Sequence, residues 1–461
     1  MNANPLIDIC ELITRSHYAD LPPRAVERAK TFILDTLGVG LAGSTAPRLA
    51  ELIATVGSWG AGHEARVWAH GTRLPALSVA VINAYQIHAL EYDCVHEAAV
   101  VHPMATLFSA VLAHTERRAA QGRPVSGEEL ILAVALGVET AAVIGASAKS
   151  AMRFFRPATA GGFGVVAALG KLEGLDQEML LNAFGLLYAQ TSGTLQAHVE
   201  GSMALGLQVG FNARAGMAAV DLAKAGFNGP KDNLTGQYGY FKLMEPEHDL
   251  APWWAKLGRE WQITRLAHKP FPSGRLTHAA VDAVQRARRE RDFAADDVAS
   301  IECWIPPLAN RLCGRPDIPA PASNYAKLCI PFVTGVEVVR RAVTPQAFWG
   351  DALRDAAVHA VAARVTVHQD ANPDQNALWP QRFAIRLKDG WTSEQVIEHA
   401  IGHPDNPLSP DAHLAKFRLC VSLAQPALPA GRADELIAAV DDLENLLDAA
   451  SLAALLSQAL S

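Results

Sequence analysis

Apolar residues recur at helical spacing along most of the first 260 positions. Pro22 and Pro23 open a segment in which Val26, Ala29, Ile33, Leu37 and Gly40 share one face, which predicts a helix. The same period predicts helices over 47–57, 76–92, 104–120, 127–149, 162–173, 176–194 and 209–225. Breaks such as GLD (174–176) and GFNGP (226–230) separate them. After about residue 260 the period shortens to two. WQITRLA (261–267) and VASIECWI (298–305) read as strands, and RFAIRLKDGWTSEQV (382–396) reads as a hairpin turning at Asp389-Gly390. Helices are predicted between these strands over 276–290, 325–341 and 351–362. Helical spacing returns from HLAKFRLC (413–420) and runs through 434–460. The predicted fold is therefore mainly α. A large all-helical domain is formed by both chain ends (1–265 and 401–461), and a smaller α+β lid domain (266–400) is inserted between them.

Composition narrows the partners. Half of the 461 residues are hydrophobic and 19% are charged, which favours a large buried core over disorder. The net charge is −7 with no basic block, so a nucleic-acid partner is not expected. The longest apolar run, 129–148, is interrupted by Glu139 and rich in Ala and Gly. It predicts a core helix, and no membrane association is expected. The first twenty residues lack the basic start and apolar stretch of a signal peptide. Six scattered cysteines without a CxxC pair fit reduced thiols, so a cytoplasmic location is expected.

Several cofactor motifs begin and then fail. HEAAVVH (96–102) starts like a zinc-protease helix, but Val100 stands where the second histidine belongs. HVE (198–200) has no PCxxC after it. GFGVVA (162–167) matches G-x-G-x-x-A with no strand pattern before it, and VVAALGKL (165–172) lacks the first Gly and the Ser/Thr of a P-loop. Neither a metal nor an organic cofactor is expected.

What remains is acid/base chemistry. HALEYDCVHEAAVVHP (88–103) packs three histidines and three carboxylates into sixteen residues. His88, Glu91 and Val95 would share one helical face. His102 precedes Pro103, so it is pushed out of helix to the start of the next one. There the helix dipole favours a neutral imidazole, a usable base near pH 7, although the position also suits a solvated loop histidine. For His88 and His96 a structural role is preferred. In HKPFPSGRLTHAA (268–280), Lys269 lies beside two prolines, and Ser273, Gly274 and Arg275 lead into a helix, where an anion could sit; a plain domain-junction turn fits equally. RFFRPATAGGFG (153–164) sets Arg156 and Thr159 just before another helix start, also suited to a carboxylate.

Taken in order, TFILDTLGVGLAGS (31–44), NAYQIHALEYDCVHEAAVVHP (83–103), RPATAGGFGVVAALGKLEGLD (156–176), GSMALGLQVGFNARAG (201–216), GFNGPKDNLTGQYGYF (226–241), KPFPSGRLTHAA (269–280) and GHPDNPLSPDAHLAKFR (402–418) resemble the MmgE/PrpD family over nearly the whole chain. The resemblance implies a helical domain with a smaller α+β lid, a homodimer, and metal-free action on a small polycarboxylate. The family holds 2-methylcitrate dehydratase, cis-aconitate decarboxylase and iminodisuccinate epimerase.

The departures from the family pattern shape the functional expectation. Glu91-Tyr92-Asp93-Cys94-Val95-His96 stands for D-[FY]-D-D-x-H. Arg156 stands for a histidine, Ala204 to Gln208 for T-K-x-L-H, and Gly274 lies near another family histidine; His102 and Lys269 are retained. A pocket short of proton donors suits α-proton removal and return, so an epimerase of an iminodisuccinate-like acid is the first expectation. His102 and Lys269 would be the proton-transfer pair, with Glu91 or Asp93 orienting them. Arg156, Thr159, Ser273 and Arg275 would hold carboxylates. A dehydrating or decarboxylating lyase, with Arg156 and Gln208 as binding groups, is the alternative. A non-catalytic carboxylate-binding protein is a third.

Overall fold

A computed structural model describes residues 2–458. Positions 459 and 460, the end of the last predicted helical stretch, lie outside the described residues. Ten helices fill the first half. They are α1 (Leu6–Arg15), α2 (Pro23–Ala42), α3 (Leu49–Gly57), α4 (Ala76–Ala89) and α5 (Pro103–Ala120). There follow α6 (Gly127–Ser147), α7 (Arg156–Leu172), α8 (Gln177–Tyr188), α9 (Gln196–Glu200) and α10 (Ala204–Lys224).

The apolar run at Glu139 is α6, and it is buried from Leu130 to Ser147 as a core helix. Its packing explains the misleading glycine motif. A Cβ on Gly164 of α7 would stand 2.6 Å from the carbonyl oxygen of Gly137 of α6. These glycines therefore let two helix backbones touch and have no phosphate to cradle.

The expectation of a mainly α fold with an all-helical domain needs correction. The fold is mixed α/β, 56% helix and 10% strand. Even the helix-rich half carries short antiparallel pairs: β1 (Ala65–Arg66) with β2 (Arg73–Leu74), and β3 (Val95–His96) with β4 (Leu266–Ala267). The later half contains a mixed four-stranded sheet of β5 (Val298–Ile305), β6 (Val365–Gln369), β7 (Gln381–Leu387) and β8 (Thr392–Ile397). Its order is β6-β5-β7-β8, with β5 and β6 parallel and the other pairs antiparallel. The β7–β8 turn uses Gly390 at φ 93°, and the Asp389 carboxylate accepts from the Trp391 N–H at 3.0 Å. The helix His278–Glu290 packs on β7 and β8. The helix Pro410–Ser422 returns to α2, where Phe417 and Cys420 face Gly38.

Three local predictions also change. Most of 261–267 is a 3-10 turn over Gln262–Arg265, leaving two residues for β4. The Glu139 carboxylate accepts from the Gln262 N–H at 2.6 Å and the Gly258 N–H at 3.2 Å, which holds this segment in a turn. The helix predicted over 76–92 stops at Ala89, because Glu91 adopts φ 52°. His88, Glu91 and Val95 therefore do not share a helical face. Finally, α7 starts at Arg156, with Pro157 in its first turn where no N–H is needed, so Arg156 and Thr159 are inside the helix.

Candidate active site

His88 ends α4. The chain then leaves the helix through Glu91 at φ 52°, runs through Asp93 into β3, turns back at Val100 (φ 51°) and reaches His102 ahead of Pro103 and α5. A bridge between His96 and Val101 closes that loop. A β-branched residue at positive φ is rare, and two strained residues on one wall are held there by the surrounding fold. β4 pairs with β3 and delivers Lys269 to the same place.

The side chains interlock. Asp93 Oδ2 accepts from His88 Nδ1 at 3.0 Å and from His102 Nδ1 at 3.1 Å. The carboxylate can only accept, so Nδ1 of His102 carries the proton and Nε2 is left to exchange with a ligand. Lys269 Nζ donates to Glu91 Oε2 at 2.7 Å, using one of its three protons. His88 Nε2 lies 3.5 Å from Glu91 Oε1.

Burial opposes every charge here, and the partners decide the outcome. For His88 burial disfavours the cation, but Asp93 and Glu91 outweigh it and the imidazole is held above its ordinary value. For His102 burial and the Lys269 ammonium together hold it below. Burial would raise Glu91, yet Lys269 and the two histidines bring it down to about 2. Asp93 lies well below the carboxylate range because His88 and His102 overcome its burial. These directions favour ionised Glu91 and Asp93, a proton held on His88 and a neutral His102.

These groups border a cavity of about 60 Å³ whose walls include Glu91, His102, Phe155, His198, Arg275 and Leu378. That space holds only a few waters and is far below the ~300–1,000 Å³ of an open ligand pocket. The geometry is that of a closed site.

Of the residues singled out from the sequence, the structure brings together His102, Lys269, Glu91 and Asp93. Arg275 lies on the cavity wall but is engaged. Its Nε donates to Glu97 at 2.6 Å, and its Nη atoms donate to the carbonyls of Ile401 (2.7 Å) and Ala400 (3.0 Å). Four others are occupied elsewhere. Arg156 is buried against Glu245 (2.6 Å) and the Ser150 carbonyl. Thr159 meets the Tyr240 hydroxyl, Gln208 accepts from the Thr194 N–H, and Ser273 meets Thr277. Buried Arg156, Thr159 and Ser273 thus find protein partners, whereas Nε2 of the partly buried Gln208 has none.

Sequence reading missed several groups. His88 was assigned to structure, yet it is the charged bridge between Asp93 and Glu91. His198 appeared only in a failed zinc motif, yet it lines the cavity, with burial bringing its pKa down to about 4. Glu97, also on the wall, accepts from Trp379 Nε1 at 2.7 Å as well as from Arg275. Lys327 carried no motif. It is 1% exposed, donates to the Ala89 carbonyl at 2.8 Å, and burial brings its pKa down to about 8.

Residues 7–252 match the MmgE/PrpD N-terminal domain and residues 271–445 match the MmgE/PrpD C-terminal domain. Among curated relatives, the cis-aconitate decarboxylase of Aspergillus terreus is 27% identical, covering 98% of this chain and 95% of its own length. The cis-aconitate decarboxylase of Mus musculus is 26% identical over 94% of this chain and 89% of its own length. That of Homo sapiens is 26% identical over 95% and 91%. With both family domains matched across most of its length, the chain belongs to the MmgE/PrpD family of enzymes.

Proposed function

We propose that this chain is a lyase that decarboxylates a small unsaturated polycarboxylate, with cis-aconitate the first substrate to test. The observation that carries the reading is the Asp93-oriented imidazole of His102 on the wall of a closed cavity, beside the Lys269–Glu91 pair. The full-length likeness to cis-aconitate decarboxylases supports it. The epimerase expectation gains no support from these relatives. Its premise was a pocket short of proton donors, inferred from Arg156, Gly274 and the 204–208 segment. The cationic His88 and the ammonium groups of Lys269 and Lys327 lie around Glu91 and supply what those positions lack.

The chemistry follows from the charges. In a β,γ-unsaturated carboxylate the C–C bond to the leaving carboxylate breaks and its electron pair enters an allylic anion. The anion is conjugated with a second carboxylate, where a nearby ammonium such as Lys269 stabilises the developing charge. Carbon dioxide departs, and one proton is added at the former alkene carbon. His102 supplies it from Nε2 after taking one up. A polyanion entering the cavity raises the His102 pKa by direct attraction, so binding itself loads the acid. Asp93 holds the ring so that only Nε2 faces the ligand.

The test is incubation with cis-aconitate in deuterated water, followed by carbon dioxide release and proton NMR. Release of carbon dioxide with one deuterium at the former alkene carbon is expected. Deuterium exchange without carbon dioxide would replace decarboxylation with an isomerase reading. Tight binding with neither would leave a carboxylate-binding protein.

A further inference from the structure

A second group of titratable side chains lies apart from the cavity residues. Asp35 sits in the middle of α2, His268 just before Lys269, and His413 in the first turn of the helix Pro410–Ser422. One ligating atom from each lies within 4.8 Å of the others. Asp35 and His268 are each 2% exposed. The polar accounting of this cluster does not close. Both ring nitrogens of His268, both of His413 and Oδ2 of Asp35 have no hydrogen-bond partner, although all five atoms are buried. Single orphaned atoms occur elsewhere, Asp317 Oδ1 and Glu337 Oε2 for example, but among the described residues only His268 and His413 leave two buried side-chain atoms each unpaired. A concentration of buried orphans, including two imidazoles, calls for a ligand.

We propose that Asp35, His268 and His413 form a binding site for a divalent transition ion of the zinc class. Two imidazoles and one carboxylate are the donor set such ions select, whereas magnesium and calcium select oxygen. Tetrahedral coordination with bonds of about 2.0–2.2 Å places ligand atoms about 3.4 Å apart, so the cluster closes by small side-chain rotations. The outer oxygen of Asp35 is already held by Lys416 Nζ at 2.7 Å, the kind of support a ligating carboxylate receives. A surface groove of about 670 Å³ reaches His413 and supplies an entry path and room for a water as the fourth ligand. The ammonium groups of Lys416 and Lys30 and the guanidinium of Arg28 oppose a cation; the Glu27 and Asp441 carboxylates at the groove offset them in part. Two other triads fit less well. His88, Asp93 and His102 bond one another, and His399, His403 and Asp405 lie largely at the surface. Bound there, the ion would fasten α2, the entry to Lys269 and the helix Pro410–Ser422 together.

The experiment uses the full chain, stripped with a chelator and titrated with Co²⁺ and, in competition with a chromophoric chelator, with Zn²⁺. One equivalent per chain is expected, with the intense visible absorption of four-coordinate cobalt. His413→Ala should weaken binding by more than about 100-fold, since even supporting partners of a metal ligand contribute 10–100-fold. His102→Ala and His403→Ala should bind as wild type does. Circular dichroism checks each fold, and His413→Gln serves where His413→Ala does not fold. No binding at micromolar metal overturns the proposal and leaves buried water as the occupant. So does an isotherm unchanged in both His413 variants, or one lost in His102→Ala or His403→Ala. None of these readouts depends on the decarboxylase reading.

Discussion

Replacing Asp93 by Asn separates orientation from charge at the proposed site. Asp93 is 0% exposed, and one of its oxygens accepts from both imidazoles, at 3.0 Å and 3.1 Å. An amide of the same shape presents one oxygen and one NH₂. If the NH₂ takes the place of Oδ2, it meets His102 Nδ1, which must then accept. Its proton moves to Nε2 and the ring can no longer pick one up there, while His88 keeps only the oxygen at the Oδ1 position, 3.3 Å away. If the oxygen takes the place of Oδ2, both rings keep an acceptor but lose the charge that favours their protonation. Losing one charge-assisted hydrogen bond costs about 1.5–3 kcal/mol. The loss does not approach that of a stranded buried ion, because His88 sheds its proton once the carboxylate is gone. Stability should therefore fall by about 2–3 kcal/mol while the fold survives. Turnover should fall by about 10²–10⁴, the range seen when a histidine is left in the wrong tautomer or a positioned acid/base is lost. The assays are urea unfolding, carbon dioxide release from cis-aconitate, and ¹⁵N NMR of the imidazoles, which reads the tautomer directly. A folded Asp93→Asn protein with near-wild-type turnover would refute the reasoning, whichever tautomer His102 shows.

Other outcomes can be checked alongside. Lys269→Met removes the Glu91 partner, so turnover should drop at least about 10²-fold while the freed Glu91 carboxyl rises in pKa; unchanged kcat with a raised KM would restrict Lys269 to binding. The kcat/KM profile should descend with rising pH from below the ordinary His value of about 6.5, since an acid held low by burial and Lys269 is already losing its proton there; a profile ascending through that range, after correction for substrate titration, makes His102 a base. Burial raises Glu139 to about 7 from 4.5, so its contribution to stability is present below pH 4.5 and is lost as pH rises to about 7. The Glu139→Gln protein should therefore gain on wild type across that window, and parallel urea-unfolding curves would contradict this. We further expect a homodimer, and sedimentation giving only a 49.2 kDa species at micromolar concentration would exclude it.

The sequence made helices legible wherever one period ran unbroken, as in α5 and α6, and made β5 and the β7–β8 hairpin legible by alternation. It failed where a side chain overrode the local pattern. Glu139 captures two backbone N–H groups more than a hundred positions away and turns a strand-like stretch into a 3-10 turn. Glu91 leaves the helix through positive φ, which no apolar period encodes. At the site, His102 was readable because Pro103 fixes its backbone. Lys269 rested on family likeness. Arg156 showed the opposite limit: a cation next to a proline looks like an anion anchor until Glu245, 89 positions on, is found closed around it. Lys327 lies in an ordinary helical stretch, and only tertiary packing places it behind Ala89 and close enough to feel the Glu91 charge.

The charges at the cavity constrain how a polyanion can enter. Lys269, Arg275 and His88 are already matched by Glu91, Glu97 and Asp93, and the cavity holds about 60 Å³. Lys327 adds one cation partnered only by neutral oxygens, but the closed site still offers an anion little free charge, and opening it must do more than make room. Arg275 cannot be released cheaply, since two backbone carbonyls and Glu97 fix it. Lys269 can be, because among the described residues Glu91 is its one acceptor. The Glu91 that holds it sits in a strained conformation at a loop, where a small backbone change swings the carboxylate away. Substrate binding should therefore exchange the Glu91–Lys269 contact for a substrate–Lys269 contact, and the displaced Glu91, no longer held near a pKa of about 2, becomes able to take up a proton. Binding to the His102→Ala protein, which cannot load a proton on His102, that still takes up close to one proton per site, measured by calorimetry in buffers of different ionisation enthalpy, would support that exchange. Binding with no proton uptake at any pH between 5 and 8 would place the substrate elsewhere or leave the ion pair intact.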